Sequence, residues 1–197
     1  MMRALLLAAL AFAGPALAQQ TAPAPAPPPA RTSAAETRRL DLERLFEALK
    51  TAPDSAGAQL VEARIRALWG QAVSPATSLL LRRGMRNLQA NEPAEALEDF
   101  DAAVVLDPGA AEAWLMRARA QARIGDRVAA AQDLREALRL EPRHFGALIQ
   151  LSDLQDEAGD LPGALRSLEA ALALHPRMAQ AEERRRELRR RAEGDAL

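Results

Sequence analysis

The sequence has no cysteine and no tyrosine, a single lysine (Lys50), and only two histidines, His144 and His175. Without cysteine there are no disulfides, no thiol nucleophile and no thiolate metal site. Two histidines cannot build a three-histidine metal centre. Neither charge sign dominates: 26 basic residues stand against 27 acidic ones, for a net charge of −1. A dedicated nucleic-acid binder usually carries a large basic excess, so that class is disfavoured. Aromatic residues make up 3% of the chain, and the 49% that is hydrophobic is mostly Ala and Leu. Such a composition favours helix over sheet. Long apolar runs are also missing. The run Leu5 to Ala13 has nine residues, well short of the roughly 20 that a membrane-spanning helix needs.

That short run sits in an N-terminal export pattern. Arg3 gives a positive start, and Ala16-Leu17-Ala18 fits the small-x-small cleavage rule. The expectation is a signal peptide over 1–18, cleavage before Gln19 and a periplasmic mature protein with no membrane span. Residues 19–32, including Thr21 to Ala30 (TAPAPAPPPA), read as a Pro/Ala-rich linker, since Pro prefers extended backbone and nothing in the stretch forms a core.

Beyond residue 74 the chain repeats itself. Leu precedes Pro by two positions at Pro108, Pro142 and Pro176, with both gaps 34 residues. In the same register stand Ala96, Ala130 and Ala164, then Ala103, Ala137 and Ala171, with Phe100, Leu134 and Leu168 between them. Asn91, Gly125 and Gly159 recur as turn residues, each followed by Glu or Asp. The spacing predicts a helix, a turn and a second helix per unit. Gly125 ends the first helix of the second unit, Asp126 caps the next helix, and Pro142 stops it. One such hairpin cannot bury both faces, so neighbours must stack on a shared core.

A 34-residue helical hairpin with these marks resembles the tetratricopeptide repeat. Counting units from Thr77, Ala111 and Phe145, place 4 holds Leu80, Trp114 and Leu148, and the small place 8 holds Gly84, Ala118 and Ser152. Two departures stand out: Asn87, Gln121 and Gln155 replace the usual Tyr at place 11, and place 7 is Arg83 and Arg117 in the first two units. They suggest a loosened repeat core. The resemblance implies an all-α, right-handed solenoid with three units at about 77–110, 111–144 and 145–178, together spanning 74–178. It also implies a concave groove lined by the first helix of each unit. By that analogy the groove residues are Ser78, Leu81, Met85, Leu88 and Gln89, then Glu112, Leu115, Arg119, Ala122 and Arg123, then Gly146, Ile149, Asp153, Asp156 and Glu157. Two outcomes are open for the charged ones: a peptide-binding floor, or Arg119 and Arg123 pairing with Asp153 and Asp156. The Lys/Asn clamp by which some such repeats hold a terminal carboxylate is absent, because its places are Leu81 and Met85.

The flanks are helical as well. Residues 33–73 predict a divergent helix pair packing on the first repeat, with Ser33 and Glu36 as a capping box. Its stripes are Leu42, Leu45, Phe46 and Leu49, then Val61, Ile65, Leu68 and Trp69. This segment joined to the array resembles exported tetratricopeptide-repeat proteins of alphaproteobacteria. Residues 179–197 predict a C-terminal capping helix and tail. Arginines between Arg184 and Arg191 interleave there with Glu182, Glu183 and Glu187, which suits a polar cap better than a lipid-binding patch. No catalytic, cofactor or metal site is expected; His144 and His175 read as solvated loop residues or helix-end cations. The functional expectation is a non-enzymatic adaptor of the bacterial envelope that binds a protein segment. A self-associating scaffold and a membrane-surface factor are the alternatives.

Overall fold

The computed structural model describes residues 33–194, so the expected signal peptide and linker lie outside the described residues. Those residues form helices α1 (Ala34–Lys50), α2 (Ser55–Gly70), α3 (Pro75–Gln89), α4 (Pro93–Leu106), α5 (Ala111–Arg123), α6 (Arg127–Leu140), α7 (Phe145–Glu157), α8 (Leu161–Leu174) and α9 (Ala181–Gly194). No strand occurs among them, and no helix there is long and apolar enough to cross a membrane. The repeat pairs are α3–α4, α5–α6 and α7–α8, each stacked on the next.

Local chemistry sets these boundaries. Asp126 and Asp160 accept hydrogen bonds from the amides of Ala129 and Gly163 and so cap α6 and α8. Gly125 and Gly159 turn the chain at φ +89° and +79°, where a Cβ would be strained, and Asn91 takes the same region at +61°. Helix α2 starts at Ser55, ahead of the apolar stripe that begins at Val61, because Asp54 caps it through the Gly57 amide. Of the capping box at α1, the half in which Ser33 Oγ accepts from the Glu36 amide is formed, at 3.2 Å.

Ala96, Phe100, Ala103, Ala130, Leu134 and Ala137 are fully buried, as the period requires. Place 8 follows the bulk of place 24. Gly84 faces Phe100, and a Cβ on Gly84 would lie 2.6 Å from that ring. The later units set Ala118 and Ser152 against the smaller Leu134 and Leu168.

The two departures from the repeat pattern prove to be linked. Arg83 and Arg117 at place 7 bond Asp99 and Asp133 at place 23 on the paired helix, and both carboxylates are buried. Asn87 Nδ2 joins the first pair, donating to Asp99 Oδ2 at 3.1 Å. In the third unit Gln155 and Ser167 meet at the same level, 2.6 Å apart. The repeat core is therefore not loosened; a polar pair occupies the space.

The N-terminal hairpin departs from expectation. Instead of stacking on the first repeat, α1 packs against α8, and the stripe of Phe46, Leu49, Ile65 and Leu68 forms one core with Phe145 and Ala171. Leu148, Ile149 and Met178 pack against that core. Trp69 stacks on His144 with ring centres 4.2 Å apart, and the Arg143 guanidinium lies 4.5 Å above the Phe46 ring. The hairpin turns back along the loops between repeats and reaches the third unit. The reason is complementary surface. The first unit offers α2 only Leu79 among exposed arginines (Arg82, Arg83 and Arg86), whereas the third offers Phe145, Ala171, Leu148 and Ile149. Leu79 is consequently 57% exposed, although its counterparts Ala113 and Ala147 are fully buried beneath the preceding unit.

At the other end α9 closes the array by burying Ala181 and Leu188 against Ala164, Leu168 and Leu172. Five of its six arginines are engaged: Arg184 and Arg191 with Asp156, Arg189 with Glu169, Arg185 with Glu182, and Arg190 with Glu187.

Candidate functional site

The hairpin divides the concave face. Over the third unit, Ile149 packs against the hairpin core and Gly146 is buried. Between α3 and α5 the face stays open. A cavity of about 390 Å³ is lined there by Arg66 of α2, by Leu81, Arg82, Met85, Arg86 and Gln89 of α3, and by Glu112, Met116 and Arg119 of α5. Met85, Gln89 and Arg119 also line a second cavity of about 620 Å³, which extends to Leu88, Ala122, Arg123, Gln150 and Glu157. Sharing those three residues, the two form one continuous groove.

The structure sorts the sequence-derived site residues into three groups. Leu81, Met85, Leu88, Glu112, Arg119 and Arg123 do line the open groove. Leu115 does not: at 1% exposure it belongs to the repeat core and meets no solvent. In the second unit place 5 turns into the repeat core, whereas place 6 (Arg82, Met116, Gln150) lines the groove in every unit. The third group is engaged elsewhere. Ser78 Oγ accepts from Arg82 at 2.7 Å, and Asp156 is taken by Arg184 and Arg191 of α9. Ile149 and Asp153 line a separate cavity of about 200 Å³ beside Met178 and Arg184. Of the two open outcomes, the pairing of Arg119 and Arg123 with Asp153 and Asp156 is not formed; those aspartates pair with the capping helix. Sequence reasoning missed Arg66, Arg82, Arg86 and Met116. The exposed stripe of α3 carried a signal for the middle two; nothing in the repeat period locates Arg66.

Charge is concentrated in the groove. Four arginines line the first cavity, and its one carboxylate, Glu112, is held by His144 Nε2 at 3.0 Å. Arg119 is half-buried and has no carboxylate within 4 Å among the described residues; its sole polar contact is a long one to Met116 Sδ at 4.0 Å. Desolvation dominates its environment and holds its pKa below the ordinary arginine value; the opposing charge of Glu112, and more weakly of Asp153, does not offset it, and Arg66 adds to the lowering.

The two histidines are not solvated. His144 is 2% exposed and His175 is 1% exposed. His175 Nε2 meets Glu62 Oε2 of α2 at 3.1 Å, so this pair ties the hairpin to the end of the third repeat. The Glu62 carboxyl is held below its ordinary 4.5 chiefly by the His175 hydrogen bond, with Arg66 adding charge and a further hydrogen bond. Burial raises the Glu112 carboxyl, but the hydrogen bond and charge of His144, with Arg119 and Arg66, outweigh it and leave the group below its ordinary value. Depressed carboxylate pKa values contribute stability above the unfolded-state value, and that stability disappears as pH falls through the folded-state value. Stability to urea should thus be level on this account above about pH 5 and fall below 4.5 as both carboxylates take up protons. Glu62→Gln should lose stability at pH 7 and show a flatter acid limb; an unchanged acid limb would remove Glu62 from the account. Among the described residues no group of three or more His, Asp or Glu is placed to hold a metal ion.

Neither a family model nor a curated protein matches the sequence. Solved structures do. The first tetratricopeptide-repeat domain of Spaghetti (RPAP3), bound to an HSP90 peptide, is 20% identical with a TM-score of 0.58, covering 61% of this chain and 96% of that one. The Sgt2 domain from Aspergillus fumigatus is 19% identical, with a TM-score of 0.60 over 63% and 83%. MamA is 22% identical, with a TM-score of 0.55 over 81% and 84%. Identities of this size carry the fold and nothing finer: the chain is an all-α tetratricopeptide-repeat solenoid, with an N-terminal hairpin docked on its third repeat.

Proposed function

We propose that this protein is a non-enzymatic adaptor of the bacterial cell envelope that holds a protein segment in the open groove between α3 and α5. The observation that carries this reading is the groove's floor and its limits. Leu81, Met85, Leu88 and Met116 provide apolar contact, and the hairpin and α9 occupy the rest of the concave face. Concave, mostly apolar sites with a few placed polar groups are where ligands collect, and methionine adapts to varied side chains. A neighbouring fold bound to an HSP90 peptide supports the binding mode in general terms. The export pattern at 1–18 supports the location. Self-association through the uncovered face of the first unit is opposed by Arg82, Arg83 and Arg86 around Leu79, which would repel their copies.

The test is crosslinked capture from envelope extract, comparing the native protein with Met85→Glu after circular dichroism has shown equal helicity. One defined protein should be captured by the native chain and lost with the variant. Capture that survives Met85→Glu places binding elsewhere.

A further inference from the structure

We infer that the open groove is selective for an acidic segment, one whose side-chain carboxylate seats on Arg119 while its apolar side chains lie on Leu81, Met85 and Met116. This rests on the groove reading above and narrows it to a ligand class.

The groove carries a charge imbalance. A buried cation is normally paired, because moving it out of water unpaired is costly. The other half-buried arginine of the same helix obeys this rule: Arg117 bonds Asp133 and Asp101. Arg119, two residues on, has no carboxylate within 4 Å among the described residues and faces a cavity instead of a partner. Around it, Arg82 and Arg86 of α3 and Arg66 of α2 add charge of the same sign. Arg66 reaches Glu62, but Glu62 is already shared with His175. Glu112, the acid of the cavity, is spent on His144. A carboxylate brought in from outside would relieve both the desolvation of Arg119 and its repulsion from Arg66.

The clamp places for a terminal carboxylate hold Leu81 and Met85, so the anionic group need not be a chain end. The apolar floor between the arginines asks for a ligand that is acidic and apolar in alternation, which a free inorganic anion is not. Two walls of the site are solenoid and one is hairpin, so an acidic segment in place also clamps α2 against α5.

The experiment uses the full chain and a fluorescent peptide, acetylated and amidated, of alternating Glu and Leu, with a second peptide carrying Gln for every Glu. Anisotropy at low and moderate salt reads affinity. The acidic peptide should bind at least about tenfold tighter than the Gln peptide, as loss of one charge-assisted hydrogen bond implies, and this preference should shrink with salt. Arg119→Gln should remove about tenfold of the affinity, Arg86→Gln a smaller part, and Arg64→Gln, exposed on α2 outside the cavity, none. Arg119→Gln should also raise the melting temperature of the unliganded protein, because it removes a desolvated cation that the charges of Glu112 and Asp153 do not offset. A merely structural arginine would lower it. Equal binding of both peptides, both lost with Met85→Glu, overturns acidic selectivity and leaves the groove reading standing. Binding of neither peptide, or unchanged affinity in Arg119→Gln, overturns the inference; displacement of the acidic peptide by a few millimolar inorganic phosphate at constant ionic strength makes this a small-anion site and overturns it as well.

Discussion

Asp133→Ala should lower the unfolding free energy by about 3 kcal/mol, read from urea denaturation at neutral pH. Asp133 is buried on α6 and receives both Nε and Nη2 of Arg117, at 2.7 and 2.9 Å. Removing the carboxylate leaves a guanidinium that is 19% exposed with one remaining partner, Asp101 at 2.9 Å. That residual bond, and the stacking of Arg117 on Trp114 at 4.8 Å, set the expected loss at the lower end of the range of about 3–5 kcal/mol for breaking a buried pair. The pair need not itself stabilise the fold. The double variant Arg117→Met, Asp133→Leu should recover most of the loss, because two apolar groups of similar size need no partners. If Asp133→Ala costs less than about 1 kcal/mol, the pair is solvated in solution and the polar repeat core described above is wrong.

That pair marks where the sequence was readable and where it was not. The period of 34 located every repeat helix, since Pro108, Pro142 and Pro176 and the alanines beside them are required by local geometry. Helix starts were readable where the cap recurs with the period, as at Asp126 and Asp160, and not at Asp54, which caps α2 outside the repeat. Arg83 and Arg117 looked like damage to the repeat because Asp99 and Asp133, sixteen residues on, are visible as their partners only once the two helices are antiparallel. The histidines failed for a related reason. Their burial depends on Trp69 and Glu62 arriving from a segment outside the repeat register, and no period specifies where such a segment docks. Leu115 failed through analogy: place 5 was assigned to the groove as in related arrays, while the tight approach of α5 to Gly146 turns it into core. What remained legible of the site was its polarity. Arg119 and Arg123 stood among apolar neighbours in the sequence and line the open groove in the fold.

Phe46→Ala should detach the hairpin while leaving the solenoid folded. Phe46 is 2% exposed; it lies 6.2 Å from Trp69, ring to ring, and beneath the Arg143 guanidinium. Truncating such a ring costs about 3–5 kcal/mol. The cost falls on one contact surface, since α1 and α2 meet the repeats through the single core that contains Phe46, Phe145 and Ala171. Helices in proteins draw most of their stability from tertiary packing, so a loss of this size exceeds what a docked pair of helices can absorb, whereas α3 to α9 keep their own cores. The chain contains two tryptophans, one on each side of the divide: Trp69 on α2, and Trp114 on α5 bonded to the Pro108 carbonyl at 2.8 Å. In a Trp114→Phe background, Phe46→Ala should shift Trp69 emission to the red and speed amide exchange across 34–70, while exchange across 93–174 stays slow. Undocking would also expose Ile149 and take Arg66 away from the groove, so the same variant should weaken the acidic peptide without any change to α3 or α5. A single cooperative unfolding of all helices, with no separate hairpin transition, would instead show that the docked pair and the repeats form one inseparable unit, and that the third repeat depends on α1 and α2 to fold.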